Sequence, residues 1–144
     1  MARLKIELPA SFSFTTEIPI RITDINYGGH AGNDSILSIM HEARMQFLLS
    51  IGLSETGTEG AGLIMRDVMI EYRKEVFYGD ILLVSLGATD LETASFALTY
   101  KLERKNQERP EVIALAKTGM VCYDYSKKKI AALTQEMRSK LLPI

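Results

Sequence analysis

The sequence predicts an α+β domain, with one long helix packed against a strongly curved antiparallel sheet. Three observations predict it. "IPIRI", Ile18–Ile22, alternates apolar and polar residues as a half-buried strand does. A long segment of helical period follows a cluster of glycines. Strand-like runs then fill the chain almost to its end.

Within the first strand, Pro19 fits an edge or a strand start, because proline has no N–H for an inner ladder. In "NDSILSIMHEARMQFLLSIGL", Ile36, Met40, Ala43 and Phe47, with Ile39 and Ile51, form an apolar stripe. Asn33 or Asp34 is the natural N-cap and Gly52 the natural stop, so the spacing predicts one helix over Asp34–Ile51. "ETGTEGAG" reads as a flexible loop. The later strands are expected over Leu63–Val76, Ile81–Thr89, Ser95–Arg104 and Val112–Tyr125. Phe96, Leu98, Tyr100 and Leu102 alternate cleanly, and "DLET" and "KNQERPE" read as hairpin connections. A short helix is expected over Thr134–Leu142. One helix covers only one face of such a sheet and leaves an edge unpaired. Joining two sheet edges in a dimer is the simple remedy.

Composition narrows the function. The chain has 144 residues and no repeat or linker, so a single domain over 1–144 is expected. A formal net charge of −1 argues against nucleic acid as a partner. No apolar run approaches the ~20 residues a membrane helix needs, and the N-terminus lacks the apolar core of a signal peptide. Cys122 cannot form an internal disulfide, and it reads as a buried, inert thiol. With two histidines and one cysteine, no metal site is expected. A cytoplasmic protein follows from these features.

The most chemically loaded stretch is "DINYGGHAGNDS", residues 24 to 35, placed just ahead of the helix. A helix start offers unpaired N–H groups and a positive dipole end. Gly28, Gly29 and Gly32 let backbone approach a ligand closely. The plain structural reading makes Asn33 or Asp34 a cap, Asp24 a brace for the loop and Tyr27 a cover for the helix end. His41 reads as structural, Arg44 as an ion-pair anchor and Asp80 as a turn acid. The run Lys127, Lys128, Lys129 is either a solvated turn or a contact for phosphates.

Several motifs, in order, carry a resemblance. "RITDINYGGHAGND" resembles the loop D-x-D-x-x-G-H-V-N-N of the hot-dog acyl-thioesterases related to 4-hydroxybenzoyl-CoA thioesterase. "HEAR", His41 to Arg44, falls where that family's helix carries E-x-A-R. "YRKEVFYGD", Tyr72 to Asp80, is similar to its Y-x-x-P-x-x-Y-G-D segment, with Glu75 where proline is common. "IALAKTGMVCYDYSKKKIAAL" resembles its last strand. The resemblance covers about residues 15 to 135. It implies a hot-dog fold, a homodimer or homotetramer, no cofactor, and hydrolysis of an acyl-CoA or acyl-carrier thioester.

One departure matters. The family's usual catalytic aspartate falls at Asn26, and an amide can neither take a proton nor attack. Asn26 can hydrogen-bond a carbonyl or a water. Another acid must then serve as base. Asp34 at the helix start leads, and Glu42, eight residues on along about the same helix face, is second. His30 is expected to donate to the carbonyl or position water. Tyr27, Gly28, Gly29 and Asn33 are expected to bind substrate. Two other activities fit the same residues: hydration of an enoyl thioester, whose enzymes carry a similar Asp–x–Asn–Pro–x–His stretch, and binding of acyl thioesters without turnover.

Overall fold

A computed structural model describes residues 5–57, 61–106 and 108–142. Six strands and two helices run in the order β1 (Phe14–Pro19), α1 (Asn33–Ser50), β2 (Gly62–Tyr72), β3 (Ile81–Thr89), β4 (Ser95–Arg104), β5 (Glu111–Asp124), β6 (Lys129–Ile130) and α2 (Gln135–Leu141). The strands form one antiparallel sheet in the order β1-β3-β4-β5-β2, with β6 added to β5. The α+β class and the long helix against the sheet are as the sequence predicts.

Curvature has a local cause. The register slips once between β2 and β5, between Met65 and Asp67, and once between β4 and β5, beside Leu102 and Glu103. Such bulges bend a strand and sharpen its twist. The curved sheet wraps α1, whose Ile36, Ile39, Met40, Ala43, Phe47 and Leu48 are buried. Facing them are Leu82, Val84 and Leu86 of β3, Leu98, Tyr100 and Leu102 of β4, and Ala114, Ala116 and Met120 of β5. Phe96, Leu98, Tyr100 and Leu102 of β4 join this core, as a period-two pattern requires, while Ala97 and Thr99 between them are buried as well.

One polar cluster is buried in this layer. Arg44 is 4% exposed and its Nε donates to Glu55 Oε1 at 2.6 Å. Its Nη1 donates to the Tyr100 hydroxyl at 3.2 Å, and that hydroxyl bonds Thr118 Oγ1 at 2.9 Å. Burial works to lower the Arg44 pKa, but Tyr100 and Glu55 outweigh it and leave the guanidinium above its ordinary value. His41 Nε2 stands 3.4 Å from the other oxygen of Glu55. Arg44 is therefore the expected ion-pair anchor, tying the helix to the sheet and to the loop after it.

The first strand differs from expectation. It covers Phe14–Pro19 instead of Ile18–Ile22, and Ile22–Asp24 forms a 3-10 turn. The turn wins because buried Asp24 accepts the Arg21 N–H at 2.8 Å and pairs with its guanidinium. Pro19 does lie on an edge strand, at its end, with β3 its sole neighbour. Strand β2 stops at Tyr72, short of Val76, since Arg73 and Lys74 both direct their N–H groups to the Ile113 carbonyl. The helix starts at Asn33 with Gly32 as N-cap, so neither Asn33 nor Asp34 caps it. Thr134 caps α2 through a bond from Met137 N. Residues 58–60 of the expected loop and Gln107 of the β4–β5 connection lie outside the described residues. Among the described residues, no helix is long and apolar enough to cross a membrane.

Candidate active site

The Gly-rich stretch folds as a tight loop closed by a single bridge between Ile25 and Ala31. Asn26 N–H donates to the His30 carbonyl at 2.9 Å, and Gly29 N–H to the Asn26 carbonyl at 3.1 Å. Gly29 has φ 82°, a conformation that favours glycine. The Ala31 N–H donates to the Val76 carbonyl at 2.7 Å and Gly32 N–H to the Asp24 carbonyl at 3.2 Å. Ser35 Oγ donates to that same Asp24 carbonyl at 2.8 Å. Asp24 thus braces the loop through its side chain and its main chain together.

The start of α1 is left open. Its N-cap makes no side-chain hydrogen bond, and the first intrahelical bond runs from Ile36 N–H to the Gly32 carbonyl. The N–H groups of Asn33, Asp34 and Ser35 therefore have no partner within the helix. Asp34 folds its carboxylate back over the cap. Its Oδ1 lies 2.5 Å from where a Cβ on Gly32 would stand, so a side chain there would push the carboxylate aside.

Asn26 connects the two halves of the site. Its Oδ1 accepts the Gly28 N–H at 2.9 Å, which fixes the amide orientation and leaves Nδ2 as the free donor. Nδ2 lies 3.6 Å from the Gly32 Cβ position, on the side of Asp34. At Gly28 the same test finds Asn26 Oδ1 at 3.2 Å and His30 Nε2 at 3.4 Å. Asn26 thus neighbours His30 beside Gly28 and Asp34 beside Gly32.

His30 Nδ1 lies 3.1 Å from the Ala31 carbonyl, which can only accept, so Nδ1 carries a proton. Nε2 faces Glu75 Oε1 at 3.8 Å. His30, Asn33, Tyr72, Arg73, Lys74 and Glu75 line an open cleft of about 210 Å³. The Tyr72 hydroxyl donates to the Asn33 carbonyl at 3.1 Å. Burial and the charge of nearby Asp34 hold the Tyr72 phenol above its ordinary pKa. A bonded, protonated phenol is the result.

The remaining expected site residues are dispersed. Tyr27 is fully exposed and does not cover the helix end. Glu42 lies about 12 Å along the helix axis from Asp34. It accepts from Gln46 Nε2 at 2.9 Å and lines a separate cleft with Glu17, Pro19 and Arg21. Asp80 is the turn acid, accepting Phe77 N–H and pairing with Arg104. Lys127 and Lys128 lie in the exposed β5–β6 turn and Lys129 opens β6, all apart from the residues lining the cleft. Cys122 is buried, and burial pushes its thiol pKa up.

Tyr72 and Glu75 belong to the segment Tyr72–Asp80 that carries the resemblance, but neither is among the site residues expected from the sequence. The signal for Tyr72 was the alternation of β2. Tyr72 pairs with Ala114, an inward-facing residue, and so points toward the helix. No periodic signal marked Glu75, which follows the strand's end.

A curved antiparallel sheet wrapped around one long helix, with a polar cleft at the helix start, is the hot-dog architecture. The family model described as the thioesterase-like superfamily matches residues 20–141, and the chain belongs to that family. Among solved structures it is similar to a 1,4-dihydroxy-2-naphthoyl-CoA thioesterase from Synechocystis, with 26% identity over 89% of this chain and 94% of that one, and a TM-score of 0.79. A thioesterase superfamily protein from Jannaschia superposes with a TM-score of 0.81 at 17% identity, covering 92% of this chain and 83% of that one. A 4-hydroxybenzoyl CoA thioesterase, solved as an aspartate-to-asparagine mutant with 4-hydroxybenzoyl CoA, gives a TM-score of 0.80 at 14% identity, covering 90% and 98%. The last two show the fold alone. No curated protein sequence matches the chain.

Proposed function

We propose that the cleft at the start of α1 hydrolyses acyl-CoA thioesters with Asp34 as the general base. One observation carries this reading: an unblocked helix start beside which the Asn26 amide neighbours Asp34 at Gly32 and His30 at Gly28. Asp34 takes a proton from water as the water oxygen adds to the thioester carbonyl. First-turn N–H groups near Asn33, together with Asn26 Nδ2, hold the developing oxyanion. Gly28 and Gly29 let the thioester approach the backbone, and Tyr27, exposed in the same loop, is a further contact for the substrate. The reading calls for no cofactor and no metal.

A homodimer, or a pair of dimers, belongs to the same reading. Strand β2 is a long edge strand, and Ile64, Val68 and Tyr72 stand exposed along it. The cleft, at about 210 Å³, is smaller than a typical ligand site of ~300–1,000 Å³. A second protomer on β2 would pair the edge and wall the cleft. A cytoplasmic setting is part of the reading too, in keeping with a lone, buried free cysteine.

The test is thiol release from a panel of acyl-CoAs, aromatic ones first, since two structural relatives bear aromatic names. Release of thiol from at least one is expected. Turnover of an enoyl-CoA without thiol release, or binding without turnover, would contradict it. Sedimentation at micromolar concentration should show a dimer or larger, and a fully active monomer would remove the shared-cleft part.

A further inference from the structure

Adding water is half of thioester hydrolysis, because the departing sulfur must also take a proton. Asp34 cannot start as both base and acid. The cleft beside the helix start is lined by an ionisable pair, His30 and Glu75. His30 and Glu75 come from different segments, but the bond from Ala31 N–H to the Val76 carbonyl ties their neighbours together at 2.7 Å. The main chain of Glu75 is held in turn by Arg104, whose Nη2 donates to its carbonyl at 2.9 Å.

Glu75 forms no ion pair with a Lys or Arg among the described residues. Its cationic neighbours are engaged elsewhere: Arg73 pairs with Glu71, and Lys74 with Glu111. The carboxylate is thus free to act on His30. At 3.8 Å it lies beyond direct hydrogen-bond length yet within ion-pair reach of Nε2. It faces the ring and can align it. Nδ1 is pinned to the Ala31 carbonyl, so Nε2 is the nitrogen presented to the cleft.

Resting on the hydrolase reading above, we propose that His30 Nε2 protonates the leaving thiolate and that Glu75 is the residue that positions His30 for it. The step balances. The C–S bond breaks as the tetrahedral intermediate collapses, and the electron pair goes to sulfur. Sulfur takes the proton from Nε2, giving free thiol, acid and a neutral His30. Asp34 holds the proton from water, and exchange with solvent returns one to His30.

The experiment compares one acyl group on two thiols, coenzyme A and 4-nitrothiophenol. The second is a far more acidic thiol and departs without help. Glu75→Gln keeps the size of the side chain, and its exposed position spares folding. A general acid contributes ~10²–10⁴-fold, so His30→Gln should cut kcat on the CoA ester by at least about 10²-fold, and Glu75→Gln by about 10-fold. On the nitrothiophenyl ester both losses should shrink to under about 3-fold, while Asp34→Asn stays slow on both. Equal losses on the two esters, or none on either, would overturn the proposal, since a structural role cannot sense the leaving group. Failure of the wild type to release either thiol would overturn the hydrolase reading itself, and this inference with it.

Discussion

Arg44 and Asp34 share one helix and one kind of problem, a charged side chain that needs partners. Arg44 meets Glu55 and Tyr100, Tyr100 meets Thr118, and among the described residues every buried side-chain polar atom has a partner. Asp34 lies exposed over a helix start that no side chain caps, beside the Asn26 amide. The middle of α1 spends its polar groups on holding the sheet. Its start leaves them available to a substrate. Completed polar networks stabilise and fix geometry, whereas unpaired groups converging in a cleft are what catalysis uses.

Substitutions can break this contrast at either end. The largest effect on stability belongs in the middle. Arg44→Ala should cost about 3 kcal/mol, the low end for a broken buried pair, because Glu55 can turn toward water and Tyr100 keeps Thr118. Chemical denaturation checks it. Turnover per folded molecule should hold, and a selective loss of activity would place Arg44 in the chemistry.

Next comes Gly32→Ala. The added methyl would stand 2.5 Å from Asp34 Oδ1 and must displace the carboxylate. A misplacement of about 1 Å can cost ~10²-fold in rate, so turnover should fall by at least about 10-fold while the fold persists. Full activity would mean that the Asp34 position is immaterial.

The smallest effect sharpens the contrast within the helix. Glu42→Gln removes the competing acid, which points into another cleft. Its effect on thiol release should stay within about 3-fold, against the ~10²-fold or more of a general base. A larger loss would move the site toward the middle of α1.

Periodicity made the core legible. The stripe Ile36, Met40, Ala43 and Phe47 and the alternation of β4 are repeated signals, and both lie where they were expected. The first strand was misplaced because a single buried carboxylate, Asp24, turns the chain, and one residue leaves no periodic trace. The helix cap was misassigned for a related reason. Asn33 and Asp34 both cap well in isolation, but the chain enters the helix at Gly32, which leaves Asn33 and Asp34 inside the first turn. The Gly-rich loop was legible as the place where polar groups gather. Its partners Tyr72 and Glu75 were not, because they arrive through strand pairing and the bond between Ala31 and Val76, contacts between residues far apart in sequence.

The most direct measurement is thiol release from an acyl-CoA by Asp34→Asn, under conditions where the variant is shown to be folded. The substitution keeps shape and removes only the charge and the capacity to take a proton. A charge near a helix start is worth about 0.3–1 kcal/mol, so stability should stay within roughly 1 kcal/mol of wild type. The helix-start account predicts that kcat falls by at least about 10²-fold. Hydrolysis at the wild-type rate would contradict it and leave Asp34 as nothing more than a first-turn carboxylate.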